Sequence, residues 1–344
     1  MSPLNIAVVG TGIFATDAHL PAIKNIPELN VTAAFNRTKS KAEVFAKKAK
    51  ISKVYDNLED VFEDKSIDFV DALLPVQYNL DVVKLAIKHK KPIAFEKPIA
   101  ANLTQAKEIV KLSESTDVPI LVLENFTYLK ALNIIKELLP KIGEVLSFTY
   151  RYTGPFNASN KYIATPWRLN PEHVGGYLSD GGVHQLAVLT EILGQVESVS
   201  ALTKQVREQS GADDILFSTF KLKSGVIGTF TYGSAFGATD KTSVLTIYGT
   251  EGSIDYDFSP SLANPTVTYQ TGTSNADISA KTVIQIEENA TIEEEFKNIA
   301  ASVVAKDKSV LNVPPRKAFH HFAIVVAALE SSKNNGSSVK VETP

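Results

Sequence analysis

The sequence predicts an α/β fold for the first part of the chain and an α+β fold for the rest. Apolar runs alternate with helical patterns up to about residue 124, which is typical of a doubly wound parallel sheet. After a helix near 129–140, apolar and polar residues alternate one by one, which predicts a mostly antiparallel open sheet covered by helices on one face. A chain of 344 residues is long enough for two such domains.

The composition argues against several classes of protein. The chain has 35 basic and 38 acidic residues, a net charge of −3 and no long basic run, so nucleic acid is not an expected partner. No apolar stretch reaches the roughly 18 residues that span a bilayer, and no signal peptide or lipidation motif is recognisable. There is no cysteine for a disulfide, a thiolate nucleophile or a metal site. We expect a cytoplasmic protein that does not bind membranes.

The first strand leads directly into a glycine turn. Four apolar residues in a row, Ile6–Val9, predict a strand that is buried on both faces. The turn and helix that follow form a dinucleotide-binding fingerprint: Gly10 makes the turn, Gly12 lets the backbone approach a pyrophosphate, and Ala15 allows close packing. The pyrophosphate is expected at the start of the helix, and the alternative is a plain buried turn. The expected contacts with the nucleotide here are Gly10, Gly12, Ile13, Phe14 and Ala15.

The second strand, Val31–Phe35, ends where a bound dinucleotide would place its adenine ribose. An NAD-binding chain carries Asp or Glu at this point to accept a hydrogen bond from the ribose 2′-hydroxyl. This chain has Asn36, Arg37 and Thr38 instead, and the planar guanidinium matches a 2′-phosphate. The pattern therefore predicts NADP(H) as the cofactor. The alternative is that Thr38 only caps the next helix and that Arg37 is a solvated charge.

Strands and helices continue to alternate up to residue 124, so we assign residues 1–124 to a dinucleotide-binding Rossmann domain. The further strands are predicted over 68–74, 92–95 and 119–123, and the helices near 38–49, 79–90 and 102–116.

We assign residues 125–312 to a substrate and oligomerisation domain, because short alternating segments dominate there. These segments begin with the alternation of Leu146 to Tyr152 and continue near 197–206, 213–222, 226–232 and 243–256. The long loop 154–176 is predicted to line a site, and 259–279 is predicted to be a variable surface. Residues 313–344 are predicted to form a helix and tail that pack back on the Rossmann domain.

Two further motifs carry groups that suit acid–base chemistry. Glu96-Lys97-Pro98 closes a parallel strand at its carboxyl end, so Lys97 is expected to project into the cofactor crevice. Asp180 and His184 are four residues apart, which places both side chains on one face of a predicted helix. Histidine changes its charge near neutral pH, which is the property that an acid–base catalyst requires.

These motifs resemble those of the glucose–fructose oxidoreductase/inositol dehydrogenase/MocA family. The fingerprint, Glu-Lys-Pro, and the Gly-Gly-x-Leu-x-Asp-x-Gly-x-His motif of residues 175–184 follow one another in the family's order, and the likeness covers nearly the whole chain. More narrowly, the chain is similar to the fungal NADP(H)-dependent oxidoreductases of the family. The resemblance implies hydride transfer between nicotinamide C4 and a carbinol or carbonyl carbon of a sugar, polyol, aldehyde or ketone. It also implies self-association through the open sheet face, so we expect a homodimer.

The resemblance assigns the three candidate catalytic residues their roles. His184 is expected to be the general base in oxidation and the general acid in reduction. Lys97 is expected to donate a hydrogen bond to the same substrate oxygen. Asp180 is expected to orient substrate hydroxyls or to tune the other two groups through its charge. The alternatives are a helix N-cap for Asp180 and a contact with a cofactor phosphate for Lys97.

The chain departs from the family's pattern in two places. Tyr177 stands where the family often has a third glycine, which predicts a narrower or aromatic pocket. The segment 74–79 lacks the family's usual Thr-Pro-Asn, so Gln77 or Asn79 is expected to replace the usual contacts near the nicotinamide ribose. Trp167 and Arg168 are expected to contact the cofactor, with a wall of the substrate pocket or plain packing as alternatives. The remaining expected cofactor contacts are Pro75, Gln77, Asn79, Glu96, Lys97 and Asn125.

No metal site is predicted. His320 and His321 are adjacent, so they diverge by about 100° on a helix and are interpreted as buried in a helix contact. His19 is interpreted as a packing or capping residue, and Glu293–Glu295 as a charged helix start. Two alternative functions stay open: a cofactor-sensing regulator of the same fold without turnover, and a reductase of unusual substrates such as dihydrodiols or linear tetrapyrroles.

Overall fold

A computed structural model describes residues 2–159, 161–162, 165–287 and 289–344. The chain divides into two units. The first contains the residues up to Asn125 together with Ala290–Phe319 and Pro344, and the second contains Phe126–Asn289 and His320–Thr343.

The first unit is built on a six-stranded sheet in which every strand pair is parallel. Its strands are β1 (Leu4–Val9), β2 (Leu29–Phe35), β3 (Lys53–Val54), β4 (Phe69–Ala72), β5 (Ile93–Glu96) and β6 (Ile120–Leu123). The spatial order β3-β2-β1-β4-β5-β6 confirms the predicted doubly wound sheet. The order reverses between β1 and β4, and ligands of such sheets bind beyond the carboxyl ends of the strands at this point.

Five helices connect these strands. They are α1 (Leu20–Lys24), α2 (Lys39–Ala49), α3 (Leu58–Glu63), α4 (Asn79–Lys88) and α5 (Leu103–Glu114). A π-helical turn, Ala15–His19, precedes α1, and a 3₁₀ turn, Val76–Tyr78, precedes α4. The predicted cap of α5 is present, because the Asn102 side chain accepts a hydrogen bond from the Gln105 backbone N–H at 3.0 Å.

The second unit is built on a nine-stranded sheet. Among its described strands, the pair of Val145–Pro155 and Ile227–Phe236 is parallel, and the other pairs are antiparallel. Its strands are β7 (Val145–Pro155), β8 (Val196–Lys204), β9 (Ile215–Leu222), β10 (Ile227–Phe236), β11 (Thr242–Gly249), β12 (Gly252–Asp257), β13 (Thr266–Thr271), β14 (Thr282–Gln285) and β15 (Val339–Lys340). The mostly antiparallel sheet is confirmed. Strand β13 lies within 259–279 and pairs there with β12, and the variability of this surface stays a prediction.

Helices α6 (Lys130–Leu138), α7 (Pro166–Leu169) and α8 (Gly176–Leu193) belong to this second unit. Helix α8 lies on one face of the sheet, where the Tyr150 hydroxyl donates to Gln185 Oε1 at 2.6 Å. The same face holds the fully buried aromatic side chains of Phe148 and Phe230. Shorter 3₁₀ turns cover Asn125–Tyr128, Leu139–Ile142, Glu208–Ser210 and Lys308–Val310.

The last two helices, α9 (Thr291–Ala305) and α10 (Pro315–Lys333), show where the sequence-based domain boundaries differ from the structure. Residues 290–312 were assigned with 125–312, but the structure groups them with the Rossmann sheet. The residue directly after this segment pairs with the sheet, because the Val122 backbone N–H in β6 donates to the Val313 carbonyl at 3.1 Å. Most of α10 and the tail group with the second unit rather than packing back on the first. In the part of the chain that the structure describes, no helix combines the length and apolarity needed to cross a membrane.

Candidate active site

The turn after β1 contains two glycines, and the packing of the fold requires glycine at only one of the two positions. Gly10 has a φ of +93°, and a Cβ there would lie 2.2 Å from the Leu73 carbonyl oxygen at the end of β4. Around Gly12, by contrast, no described atom lies within 4 Å of an added Cβ. Packing therefore explains glycine at position 10, whereas the space at position 12 suits the approach of a group from outside the chain.

The residues after this turn divide into an exposed pair and a buried one. Ile13 and Phe14 are 39% and 37% exposed and lie beside the turn. Ala15 is fully buried, as predicted for close helix–strand packing.

The end of β2 is organised by the Asn36 amide. Its Nδ2 donates to Thr11 Oγ1 at 3.1 Å, and its Oδ1 accepts from the Thr38 backbone N–H at 2.9 Å. The exposed Arg37 donates from Nη1 to the Tyr78 hydroxyl at 3.1 Å, and its guanidinium lies 5.8 Å from the centre of that ring. Thr38 is the N-cap residue of α2 but makes no side-chain capping bond within the described residues. Arg37 is thus an exposed charge whose orientation is set by a contact with Tyr78.

The Asn79 side chain holds the turn that carries Lys97 through hydrogen bonds to its backbone. The Asn79 side chain is buried, and its Nδ2 donates to the carbonyls of Glu96, Pro98 and Ile99 at 3.2, 3.0 and 3.4 Å. The structure thus shows Asn79 as a support of the Glu96–Ile99 turn, a role that the sequence did not indicate.

Three other expected cofactor contacts lie in the same unit. Pro75 and Gln77 are half-buried at the 3₁₀ turn before α4. The Asn125 amide donates to the Thr291 hydroxyl at 2.9 Å, at the start of α9.

His19 lies between two carboxylates. Its Nδ1 is 2.9 Å from Asp71 Oδ2, its Nε2 is 3.1 Å from Glu96 Oε1, and its side chain is fully buried. The rings of Phe14 and Phe296 contact it edge-on. Burial alone would lower the pKa of His19, but the charge of Asp71 and the hydrogen bonds to both carboxylates raise it to about 10. The interpretation as a packing or capping residue was incomplete, because it missed this pair of acidic partners.

Glu295 was wrongly interpreted as part of a charged helix start. Glu293 and Glu294 do lie in the first turn of α9, but helical periodicity turns Glu295 to the inner face, where it is 2% exposed. Burial raises the pKa of its carboxyl well above the ordinary value, and the charge of Glu96 adds to this effect.

In the second unit, α8 carries the predicted pair of Asp180 and His184. Arg168 Nε donates to Asp180 Oδ2 at 2.8 Å, and the guanidinium lies 5.3 Å from the centre of the Tyr162 ring. The His184 ring stacks on Phe126 with centroids 4.6 Å apart and planes inclined by 25°. The alternative of an N-cap role for Asp180 is wrong, because α8 begins at Gly176, four residues earlier.

Of the predicted pair Trp167 and Arg168, only the arginine side chain can be placed. The Trp167 backbone lies in α7, and its side chain falls outside the described part of the structure.

Three tyrosines stack beside this helix, and two of them were missed in the sequence. The Tyr232 ring stacks on Tyr152 with centroids 5.4 Å apart, and on Tyr177 with centroids 5.6 Å apart. A Cβ at Gly181 would lie 2.0 Å from the Tyr232 hydroxyl oxygen, so glycine is needed for α8 to lie on this ring. Burial raises the pKa of Tyr177 and Tyr232, and the charge of Asp180 contributes to both shifts. Aromatic surroundings were predicted at Tyr177, and the structure shows them.

The two adjacent histidines of α10 make separate hydrogen bonds. His320 Nε2 accepts from the Val196 backbone N–H at 3.0 Å, and His321 Nε2 lies 3.0 Å from the Thr190 hydroxyl. Burial lowers the pKa of His320 to about 4, so its nitrogen stays an acceptor. The buried His321 thus contacts helix α8, as interpreted from the sequence, whereas the half-buried His320 contacts strand β8. Among the described residues, Glu59, Glu63 and His89 have side-chain ligand atoms within 4.8 Å of one another, but Glu59 already pairs with His89 and a lysine.

The six-stranded parallel sheet and its glycine turn are typical of a nucleotide-binding domain. The sequence profile of the oxidoreductase family's NAD-binding Rossmann fold matches residues 4–124, and that of its C-terminal alpha/beta domain matches residues 136–341. The chain belongs to the glucose–fructose oxidoreductase/inositol dehydrogenase/MocA family, as the motifs predicted.

Individual relatives show the same likeness. The uncharacterised protein YMR315W of Saccharomyces cerevisiae is 53% identical over 350 residues and covers 100% of both chains. A D-apiose dehydrogenase of Rhizobium rhizogenes is 27% identical over 259 residues, which are 74% of this chain and 73% of that protein. A crystal structure of an oxidoreductase from Thermotoga maritima has a TM-score of 0.86 at 30% identity and covers 98% of each chain.

The contrast between the two fingerprint glycines can be tested with alanine at each. We expect Gly10→Ala to lower the free energy of unfolding by about 1–3 kcal/mol, because φ is positive and the Cβ meets a backbone carbonyl. Gly12→Ala should change it by less than about 0.5 kcal/mol, yet should weaken dinucleotide binding. Urea unfolding and fluorescence titration with NADPH measure the two effects. A Gly12→Ala variant that binds NADPH as tightly as the wild type would contradict this view of the turn.

Proposed function

We propose that this protein is an NADP(H)-dependent oxidoreductase that transfers hydride between nicotinamide and a small carbonyl or alcohol. The substrate class is a sugar, polyol, aldehyde or ketone. The observation that carries the proposal is the turn after β1, where Gly12 leaves open space beside the backbone at the carboxyl edge of a parallel sheet. Family membership supports the same reaction class.

The residues around this turn fit the phosphate groups of NADP(H). The open space at Gly12 suits the pyrophosphate. At the end of β2, Arg37 supplies a guanidinium for a 2′-phosphate, and Tyr78 already holds that guanidinium. No carboxylate follows β2 to repel the phosphate, because Asn36 takes that position.

Bound nicotinamide would supply or accept the hydride. Two side chains, His184 and Lys97, contact the substrate oxygen, and a third, Asp180, assists them. In oxidation, His184 accepts the hydroxyl proton, and in reduction it returns that proton. Lys97 donates a hydrogen bond to the same oxygen and stabilises its developing negative charge. Asp180, one helical turn before His184, orients substrate hydroxyls and is itself held by Arg168.

A hydroxylated substrate is supported by the groups around Asp180. The Tyr177 hydroxyl and the Asp180 carboxylate lie near the start of α8, and such groups recognise sugar or polyol hydroxyls. The relative from Rhizobium rhizogenes bears the name of a sugar dehydrogenase, D-apiose dehydrogenase.

The open face of the nine-stranded sheet supports a homodimer. Leu202 and Phe217 are cross-strand partners on that face and are 61% and 50% exposed, and Ile227 on the next strand is 59% exposed. We expect light scattering to give twice the chain mass of 37.3 kDa, and we expect Phe217→Lys to shift the protein to the monomer. A monomeric wild type at micromolar concentration would contradict the dimer.

The cofactor preference can be tested by restoring a carboxylate after β2. The double variant Asn36→Asp, Arg37→Ala keeps an acceptor for the Thr38 N–H, but it repels a 2′-phosphate and removes the guanidinium. We expect the Kd of NADPH to rise by about 10- to 100-fold while the Kd of NADH falls. Lys84→Ala, which removes an exposed charge elsewhere in the same unit, is the control. Unchanged relative dissociation constants would refute the NADP(H) preference.

The acid–base role can be tested with a substrate panel and the His184→Ala variant. The wild type should oxidise NADPH or reduce NADP⁺ with at least one sugar, polyol, aldehyde or ketone. In His184→Ala, kcat should fall by about 10²- to 10⁴-fold while the Kd of NADPH stays unchanged, and His89→Gln serves as the histidine control. A His184→Ala variant with near-full turnover would show that another group moves the proton. Tight NADPH binding without turnover on any substrate would favour a cofactor-sensing regulator.

A further inference from the structure

A cluster of charged side chains is buried inside the first unit, and the acid–base scheme makes no use of it. His19 from the π-helical turn lies between Asp71 of β4 and Glu96 of β5. The buried carboxyl of Glu295, from α9, approaches the same cluster. We call these four residues the buried charge cluster.

The position of Asp71 makes this cluster costly for the fold. Asp71 lies in a central strand, in register with Val8 of β1 and Ala94 of β5, and all three side chains are completely buried. An apolar residue in such a place avoids the desolvation of an ion pair and is often more stabilising. Because a polar network here departs from the pattern of a buried parallel strand, it indicates a role beyond stability.

The contacts run from the interior of the sheet to its carboxyl edge. Asp71 engages His19 Nδ1, so the opposite nitrogen, Nε2, points at Glu96 Oε1. The Asp71 side chain is 0% exposed and the Glu96 side chain is 16% exposed. Glu96 is therefore the outer end of the chain of contacts, and it immediately precedes Lys97.

We propose that His19 is a positioning residue of the nucleotide site, which holds the Glu96 carboxylate as an acceptor for a ribose hydroxyl of the bound nucleotide and so orders the turn that carries Lys97. This inference rests on the proposed function. A carboxylate is the group that protein sites use for ribose hydroxyls, and Glu96 lies at the end of a strand where ligands of such sheets bind. Asn79 holds the same turn through its carbonyls, so side chain and backbone are both fixed.

The charge balance of the cluster explains why a histidine suits this role. With its pKa raised to about 10, His19 stays a cation at neutral pH and donates from both nitrogens. The groups that face it are Asp71, Glu96 and the aromatic rings of Phe14 and Phe296, and the Glu295 carboxyl, whose pKa is raised by burial, is also close enough to interact. An Asn or Gln at position 19 would keep a donor but not the positive charge that both carboxylates share.

The charge state can be measured on the unaltered protein. In nitrogen-15 NMR of labelled histidine, one of the six imidazoles should stay doubly protonated from pH 6 to pH 9, and its signal should be missing in His19→Gln. A neutral His19 at pH 8 would overturn the proposal.

The positioning role is tested by NADPH affinity, which requires no turnover. His19→Leu keeps much of the volume but donates nothing, so the Kd of NADPH should rise by about 10- to 100-fold. His19→Gln retains one donor and should recover part of this loss. The control is Ile109→Val, a small core change in α5 that should leave the Kd unchanged. If His19→Leu binds NADPH like the wild type, the inference is wrong even though the proposed function stands.

Asp71→Asn provides a readout that a purely structural role would not give. The amide keeps the shape of Asp71 but removes the charge that holds the proton on His19. The pKa of His19 should then fall, and the Kd of NADPH should rise with pH between pH 6 and pH 9, whereas the wild-type Kd stays flat. A flat profile in Asp71→Asn would overturn the inference. A wild type that binds no NADPH at any pH would instead overturn the proposed function, and the inference with it.

Discussion

The close contact between the Gly10 turn and the end of β4 is the constraint on which the nucleotide-binding unit depends. A Cβ at position 10 would lie 2.2 Å from the Leu73 carbonyl oxygen. The turn therefore packs directly against the end of β4, at the point where the strand order reverses. Because all six strands are parallel, their carboxyl ends share one edge of the sheet. The turn that carries Arg37 after β2 and the turn that carries Lys97 after β5 are therefore brought to the edge where Gly12 leaves its open space.

The two units carry different kinds of chemistry. The first contains buried ionisable side chains that contact one another, above all His19 between Asp71 and Glu96. The second contains a histidine, His184, on the same helix as Asp180, and this helix lies close to a stack of tyrosine rings. This division suits an enzyme in which one unit holds a charged cofactor firmly and the other recognises hydroxyl groups and moves a proton.

Local patterns were readable from the sequence, and contacts between distant residues were not. The fingerprint, five of the six parallel strands and the Asp180–His184 spacing depend on neighbouring residues, so the sequence predicted them. The strand β3 has two residues and helix α3 has six, which is too short for a periodic signal. The contacts of His19 with Asp71 and Glu96 join residues 52 and 77 positions apart, and no local pattern encodes them. Glu295 was misread because a run of three glutamates resembles an exposed helix start, and only the packing of α9 shows which one is buried.

We propose that Lys97 and His184 act on one substrate oxygen beside a nicotinamide ring. A crystal structure with NADP⁺ and a bound alcohol or an inert analogue tests it most directly. We expect the pyrophosphate to lie at the Gly10–Gly12 turn. We also expect the Lys97 Nζ and a His184 ring nitrogen to lie about 3 Å from the same oxygen of the bound alcohol. A nucleotide bound elsewhere, or either side chain directed away from that oxygen, would contradict it.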